Sequence, residues 1–300
     1  MMDLFGGIEA GGTKFVCVAG SGPDDIRMEE RFPTTSPVET IGKMVAFFQH
    51  AEKKLGKKFA SFGVASFGPV DLDASSPTFG FITSTPKPGW KNTDLIGPLR
   101  KTFGVPVGFD TDVNGAAIGE GMWGAGKGLQ HFIYITIGTG IGGGAVVDGK
   151  PLHGLIHPEM GHMLLPHDWD RDPFEGHCPY HGDCFEGMAS GPALKARWGV
   201  SADRLPANHA AWDLEADYIA SALQNLIAVL SPQRLILGGG VMQQEQLFPL
   251  IRGKLLEKMN NYFQSPVILN RMAEYVVPPG LGNQAGMLGA LAMARNEVKK

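Results

Sequence analysis

Two carboxylates stand close together in Phe109-Asp110-Thr111-Asp112-Val113-Asn114, just ahead of a run rich in alanine and glycine. A carboxylate there is suited to general-base work, accepting a proton as a hydroxyl attacks. Asp112 is equally suited to cap the helix that such a run predicts. A second set, Cys178-x-x-His181-x-x-Cys184, packs soft and borderline ligands into one short stretch. One more histidine completes the two-cysteine, two-histidine complement of a closed structural zinc site. His162 and His177 compete for that place, and spacing does not separate them. Two buried thiols with solvated histidines would leave the same spelling. Glu159 and His162, three apart, share a face on a helical turn, a spacing that ordinary polar surface also shows.

Glycine supplies the third kind of chemistry. There are 42 glycines, clustered between apolar runs rather than spread in a linker. Gly11-Gly12-Thr13-Lys14 and Gly138-Thr139-Gly140 each sit between two β-rich runs, so each predicts a hairpin with a tip stripped of side chains. Backbone N–H groups, a hydroxyl and a cation with no Cβ in the way are what phosphoryl transfer needs around a polyphosphate. No G-x-x-x-x-G-K-[ST] spelling occurs, which excludes a Walker loop. Gly138, Gly140 and Gly143 do spell the dinucleotide fingerprint, but Ala145-Val146-Val147 predicts a strand where that fingerprint requires a helix. Gly238-Gly239-Gly240 closes another strand, Arg234–Val241, and a third glycine cluster weighs against structural hairpins without a ligand.

The elements that position these residues alternate between strand and helix, which is α/β architecture. Ser61–Val70 reads as a strand ended by a Gly-Pro turn, and Val105–Asp112 as a short strand entering the Asp-rich turn. Val113–Met122 predicts a helix packed closely by its small residues. Leu214–Leu230 carries apolar residues at helical spacing, with Pro232 beyond its end. A last helix is predicted over Gln284–Glu297. The two hairpins each begin one of two related halves. Cys17, in an apolar run, predicts a buried strand residue.

Composition narrows the classes. With 300 residues the chain is long enough for two domains. It is 43% hydrophobic and 19% charged with a net charge of -4, giving no general attraction to nucleic acid or a membrane surface. Three cysteines cannot form a disulfide framework. Met1–Phe5 lacks the basic flank and apolar stretch of a signal peptide, and no apolar run reaches bilayer length, so a cytoplasmic protein is expected.

The order of these motifs carries a resemblance. A Gly-Gly-Thr-Lys hairpin, an Asp-x-Asn turn, a Gly-Thr-Gly hairpin, a Glu-x-Gly-His motif and a cysteine cluster resemble the ROK family of sugar kinases and repressors, from Gly6 to about Gly289. His157–His162 and Cys178–Gly187 look most like its bacterial fructokinase branch. The resemblance implies a two-domain actin-like ATPase (ribonuclease H-like) fold with a small zinc-binding insertion. One domain would cover 1–113 and 282–300, the other 114–281, with ATP in the cleft between them. It implies Asp112 as general base, with Asn114, Glu159, His162, Glu186, Gly68 and Pro69 around a hexose. Gly11, Gly12, Thr13, Lys14, Gly138, Thr139, Gly140, Ala189, Pro192, Gly238, Gly239 and Gly240 would hold ATP. The zinc ligands would be His162, Cys178, His181 and Cys184, with His162 preferred over His177. Four protein ligands leave no open position, so this zinc would be structural. It would pin segment 172–187, poor in apolar residues, against the turn carrying His162 and so fix Glu159 relative to Glu186. Magnesium is implied by the chemistry, and a homodimer by the resemblance. Many family members have Asp where this chain has Glu9, which leaves that residue's role open.

The implied reaction is conversion of D-fructose to fructose 6-phosphate. Glucokinase, mannokinase and amino-sugar kinase are its neighbours in the family. A sugar-sensing regulator is the non-enzyme rival. Such repressors carry an N-terminal helix-turn-helix, for which a hairpin beginning at Gly6 leaves no room, and no basic patch is present.

Overall fold

The computed structural model describes residues 3–299. The first hairpin is β1 (Leu4–Ala10) and β2 (Lys14–Gly22), followed by β3 (Asp25–Pro33), α1 (Pro37–Leu55) and β4 (Phe59–Ser66). A short antiparallel pair, β5 (Phe81–Ile82) and β6 (Thr93–Asp94), leads to α2 (Gly97–Phe103), β7 (Val107–Thr111) and α3 (Asp112–Trp123). The second hairpin is β8 (Phe132–Ile137) and β9 (Ile141–Val147), with a short strand β10 (Lys150–Pro151) after it. Then come α4 (Phe185–Ala189), α5 (Gly191–Trp198), α6 (Ala211–Leu230), β11 (Arg234–Gly238) and α7 (Leu247–Met259). The chain ends with α8 (Pro266–Asn270), α9 (Met272–Tyr275), β12 (Val276–Val277) and α10 (Ala285–Glu297).

Two compact units result. The first comprises Met1–Gly128, Lys150–His157 and Asn283–Lys300; the second comprises Leu129–Gly149 and Pro158–Gly282. In the first, strand order is β3-β2-β1-β4-β7, with β1 antiparallel to β2 and parallel to β4, and β4 parallel to β7. In the second, β8 is antiparallel to β9 and parallel to β11, which is parallel to β12. Each unit thus starts from a glycine-tipped hairpin and adds parallel strands by crossover, the same plan twice.

This differs from the boundary expected at 113/114. Helix α3 belongs to the first unit because it packs on α10 with almost nothing between the backbones. A Cβ on Gly119 would stand 2.9 Å from the Gly289 Cα. Small residues on both helices permit that approach, and exchanging one of them would force the pair apart. The segment Lys150–His157 also lies with the first unit, bringing His153 there.

The first unit's core is aromatic. Phe48 on α1 meets Phe62 on β4 edge to face at 4.8 Å and 74°, and both are fully buried. Burying such a ring contributes about 1.5–3 kcal/mol. Ser36 caps α1 by accepting from the Glu39 N–H at 3.4 Å, and Gly56 ends it in the left-handed region at φ 61°. In the second unit α6 buries Ile219, Leu223, Leu226 and Ile227, the stripe its spacing predicts, and packs on α7. Cys17 is fully buried on β2, where burial raises its thiol well above the ordinary range.

Candidate active site

The β7–α3 turn settles which residue caps the helix. Thr111 is the N-cap, its Oγ1 accepting from the Asn114 N–H at 3.2 Å, so Asp112 is the first helical residue. Asp112 Oδ1 accepts from the Val113 N–H at 2.9 Å. The capping role is therefore taken by a neighbour, and the Asp112 carboxylate sits at a helix N-terminus, where negative charge is favoured. Asp110 is buried at 5% exposure. Its Oδ1 accepts from the Thr111 N–H at 2.8 Å and from Asn114 Nδ2 at 2.7 Å, and His153 Nε2 lies 2.9 Å from its Oδ2. Asn114, expected among the sugar ligands, is 1% exposed and donates an amide hydrogen to Asp110. The bond to Asp110 and the attraction of its charge hold the His153 pKa above the ordinary value of 6.5, against desolvation.

The first hairpin closes through the Gly11 N–H donating to the Lys14 carbonyl at 3.0 Å. Thr34 anchors it, donating Oγ1–H to the Gly11 carbonyl at 2.6 Å and N–H to that of Thr13 at 2.9 Å. Thr13 and Lys14 are exposed at its tip, and a Cβ on Gly12 would stand 4.0 Å from the Phe67 ring. Glu9, on β1, is desolvated, which raises its pKa above 4.5, while Lys14 and Arg31 act the other way. In the same unit Gly68 and Pro69 follow β4 through a cis peptide, and the Val70 N–H donates to Nε2 of the buried His157 at 3.4 Å.

In the second unit the glycines expected near ATP converge. The Gly138 N–H donates to the Gly140 carbonyl at 2.9 Å, forming the tip that leaves Thr139 exposed. Strand β9 continues directly from Ile141, so the dinucleotide fingerprint has no helix after it. The Gly191 N–H donates to the Gly138 carbonyl at 2.8 Å, drawing the start of α5, with Ser190 as N-cap and Pro192 behind it, against the hairpin. Gly240 approaches Gly138 from β11: a Cβ on Gly138 would lie 3.7 Å from the Gly240 nitrogen. Gly239 holds φ at 94° with the Ile137 backbone against it, a place only glycine fills without strain. Gly238 lies against the Tyr134 hydroxyl, while Ala189 is fully buried at the end of α4.

The carboxylate of Glu186 joins this hairpin. Its Oε2 accepts from the Ile141 N–H at 2.9 Å, and a Cβ on Gly140 would stand 2.8 Å from that oxygen. Glu186 rides on α4, whose N-cap position is Cys184. Glu159 precedes the 3-10 turn Met160–His162, and its carbonyl accepts from the His162 N–H at 3.0 Å.

Donor atoms of His162, Cys178, His181 and Cys184 all lie within 4.8 Å of one another. Cys184 Sγ is 3.6 Å from His162 Nδ1, and Cys178 Sγ is 3.8 Å from Nδ1 of both His162 and His181. Tetrahedral zinc with Zn–S of about 2.3 Å and Zn–N of about 2.05 Å sets S···N edges of about 3.6 Å, so the donor set fits that ion. Burial and the neighbouring Cys178 push the Cys184 thiol up to about 11, a pair that needs a cation to ionise together. His177 stays outside the group; its backbone N–H pairs with the Gly187 carbonyl at 2.9 Å.

Spacing did not reveal the long-range partners. His153 reaches Asp110 from 43 residues away. The insertion is further held by His167, between Asp183 Oδ2 at 3.1 Å and the Asp172 carbonyl at 2.8 Å. Asp172 in turn accepts from the Tyr218 hydroxyl at 2.7 Å and pairs with Arg197 at 3.1 Å. No motif announces these contacts.

The ROK family model matches residues 5–297. A fructokinase from Zymomonas mobilis subsp. mobilis is 49% identical over 294 residues, covering 97% of this chain and 96% of that protein. A fructokinase from Streptococcus mutans serotype c is 43% identical over 298 residues, covering 98% of each. Among solved structures, the ROK hexokinase from Thermus thermophilus superposes with TM-score 0.80 at 26% identity, covering 99% of both chains. A ROK family glucokinase from Streptomyces griseus, in complex with glucose and AMPPNP, gives TM-score 0.73 at 25% identity over 98% of this chain and 99% of that one. The doubled α/β plan is that of the two-domain actin-like ATPases, and this chain belongs to the ROK family.

Proposed function

We propose that this protein is an ATP-dependent sugar kinase that converts D-fructose to fructose 6-phosphate, with Asp112 as general base. The observation that carries the choice of sugar is identity of 41–49% to fructokinases over nearly the whole chain. By contrast, the Thermotoga maritima glucokinase is 28% identical.

In this reading the sugar hydroxyl attacks the γ-phosphorus as its proton passes to Asp112, and ADP leaves. A hydroxyl is a weak nucleophile, so a placed base contributes typically 10²–10⁴-fold. Asp112 is suited to the work because Thr111 relieves it of capping. Glu159 and Glu186 accept hydrogen bonds from sugar hydroxyls, as ionised carboxylates do, with Glu186 steadied by the Ile141 N–H. Gly68, Pro69 and His162 complete the sugar's surroundings. Asn114 gives one amide hydrogen to Asp110, which holds it in the turn beside Asp112.

The hairpin tips Gly11–Lys14 and Gly138–Gly140 offer backbone N–H groups and hydroxyls to the phosphates. Gly191–Pro192 at the start of α5 and Gly238–Gly240 approach the rest of the nucleotide. Magnesium would enter with ATP as the counter-ion that phosphoryl transfer requires, and Glu9 would orient Lys14 or a water bound to the ion. His162, Cys178, His181 and Cys184 would hold zinc, which supplies a fixed crosslink and no reactive position. That crosslink ties the turn after Glu159 to the helix carrying Glu186.

Assembly as a homodimer and a cytoplasmic location belong to the same proposal. Among the described residues no helix is long and apolar enough to cross a membrane. A coupled ADP-release assay with fructose, glucose, mannose and N-acetylated sugars tests the reading. Fructose should give the highest kcat/KM, and another sugar leading the panel would reassign the substrate.

A further inference from the structure

We propose that His153 is a positioning residue for the general base, fixing through Asp110 the turn that presents Asp112. The inference rests on the reading of Asp112 as that base. The turn that presents Asp112 is held partly by its own residues. Three bonds that shape it stay within four residues: Thr111 Oγ1 to the Asn114 N–H, Asn114 Nδ2 to Asp110, and Asp112 to the Val113 N–H. His153 reaches the turn from elsewhere in the sequence, on the segment Lys150–His157 of the same unit.

The atom assignments follow from the distances. Asn114 Nδ2 donates to Asp110 Oδ1 at 2.7 Å and stands 3.3 Å from His153 Nε2. That ring nitrogen cannot both accept from the amide and donate to the carboxylate. The 2.9 Å approach to Asp110 Oδ2 is the shorter, and a buried carboxylate oxygen requires a donor. Nε2 therefore carries the hydrogen. The side chain of His153 is 42% exposed while that of Asp110 is 6% exposed, so the bond tethers a buried acid to a group reaching in from the surface.

Without it, Asp110 Oδ2 loses its donor in a buried site, a position costly enough to drive rearrangement of the carboxylate. Thr111 and Asn114 hang on the other oxygen of that carboxylate, and they bracket Asp112. A displacement of the base by a fraction of an ångström lowers the rate of proton transfer without removing a contact to either substrate.

The test is a set of five proteins assayed for ADP release: wild type, His153→Leu, His153→Gln, Asp112→Asn and the double variant His153→Leu/Asp112→Asn. Leucine keeps bulk but cannot donate, whereas the glutamine amide can place a nitrogen where Nε2 stood. The expected result is a fall in kcat of about 10- to 100-fold for His153→Leu, with KM for fructose and for ATP within about threefold. His153→Gln should restore kcat to within about threefold of wild type. In the Asp112→Asn background His153→Leu should cost less than about twofold, because the residue through which it acts is gone. A plain stabilising role would instead give independent losses in the two backgrounds.

Unchanged kcat in His153→Leu, or equal losses with and without Asp112, would overturn the inference. If His153→Leu does not fold, His153→Gln and His153→Asn decide it, since asparagine reaches only the Nδ1 position: equal kcat in the pair would overturn it. A wild type that phosphorylates no sugar would remove the underlying reading instead, an outcome distinct from an active enzyme indifferent to residue 153.

Discussion

Replacing Gly140 with alanine tests whether the second hairpin and the sugar clamp share one hydrogen bond. The added Cβ would stand 2.8 Å from Glu186 Oε2 and 3.6 Å from its Cδ. The atom in the way is the far end of a flexible side chain, so the fold should survive and the carboxylate should retreat. That retreat breaks the 2.9 Å bond from the Ile141 N–H. A hydrogen bond to a charged group is worth about 1.5–3 kcal/mol, which corresponds to roughly 10- to 150-fold in kcat/KM for fructose if all of it is felt by the sugar. The assay is initial rate against fructose at saturating ATP, repeated against ATP at saturating fructose, with a thermal melt as the folding control. Gly140→Ala should lose fructose kcat/KM in that range while ATP KM moves less than about threefold. Adding Gly140→Ala to Glu186→Ala should bring little further loss, because the carboxylate that the new Cβ would displace is already gone. A folded Gly140→Ala protein with wild-type fructose kcat/KM would refute the reasoning, as would a defect confined to ATP.

Zinc analysis should find about one metal per chain, and Cys184→Ser should raise KM for fructose more than KM for ATP; a metal-free preparation with full activity would contradict this. Glu215 on α6 is fully buried with neither carboxylate oxygen bonded to a protein donor among the described residues, and burial raises its pKa well above 4.5. The folded state therefore keeps a proton that the unfolded chain loses, so this residue lowers stability as pH rises above about 4.5, by about 1.4 kcal/mol per pH unit until the folded group ionises. Urea unfolding at pH 5.5 and 6.5 should show Glu215→Gln gaining on wild type by about that amount, and parallel profiles would contradict it. Thr111→Ala removes the cap of α3 and should cost about 0.5–2 kcal/mol, read as a lower melting temperature.

Much of this was legible in the sequence wherever a local pattern has one physical solution. Glycine tips between β-rich runs have to be hairpins, and both are, at Gly11–Thr13 and Gly138–Gly140. The apolar spacing from Leu214 to Leu230 has to be a helix, and α6 begins only three residues earlier. The cysteine stretch announced a ligand set; spacing did not separate His162 from His177, the resemblance preferred His162, and the fold brings His162 to the cysteines. Where two neighbours could do the same job, type alone did not choose: Thr111 caps α3, although Asp112 has the stronger cap chemistry on paper. Pairings across long separations left no trace at all. Asp110 with His153 and Asp172 with Tyr218 depend on which loops the sheets bring together. The unit boundary was missed for the same reason, because α3 is held to the first unit by a helix at the other end of the chain.

The central claim is that Asp112 takes the proton from the sugar as the phosphoryl group moves. Its most direct test is single-turnover phosphorylation of fructose by wild type and Asp112→Asn with ATP bound beforehand. The variant should bind ATP as wild type does and form fructose 6-phosphate at least ~10²-fold more slowly. Near-normal turnover in Asp112→Asn would contradict it.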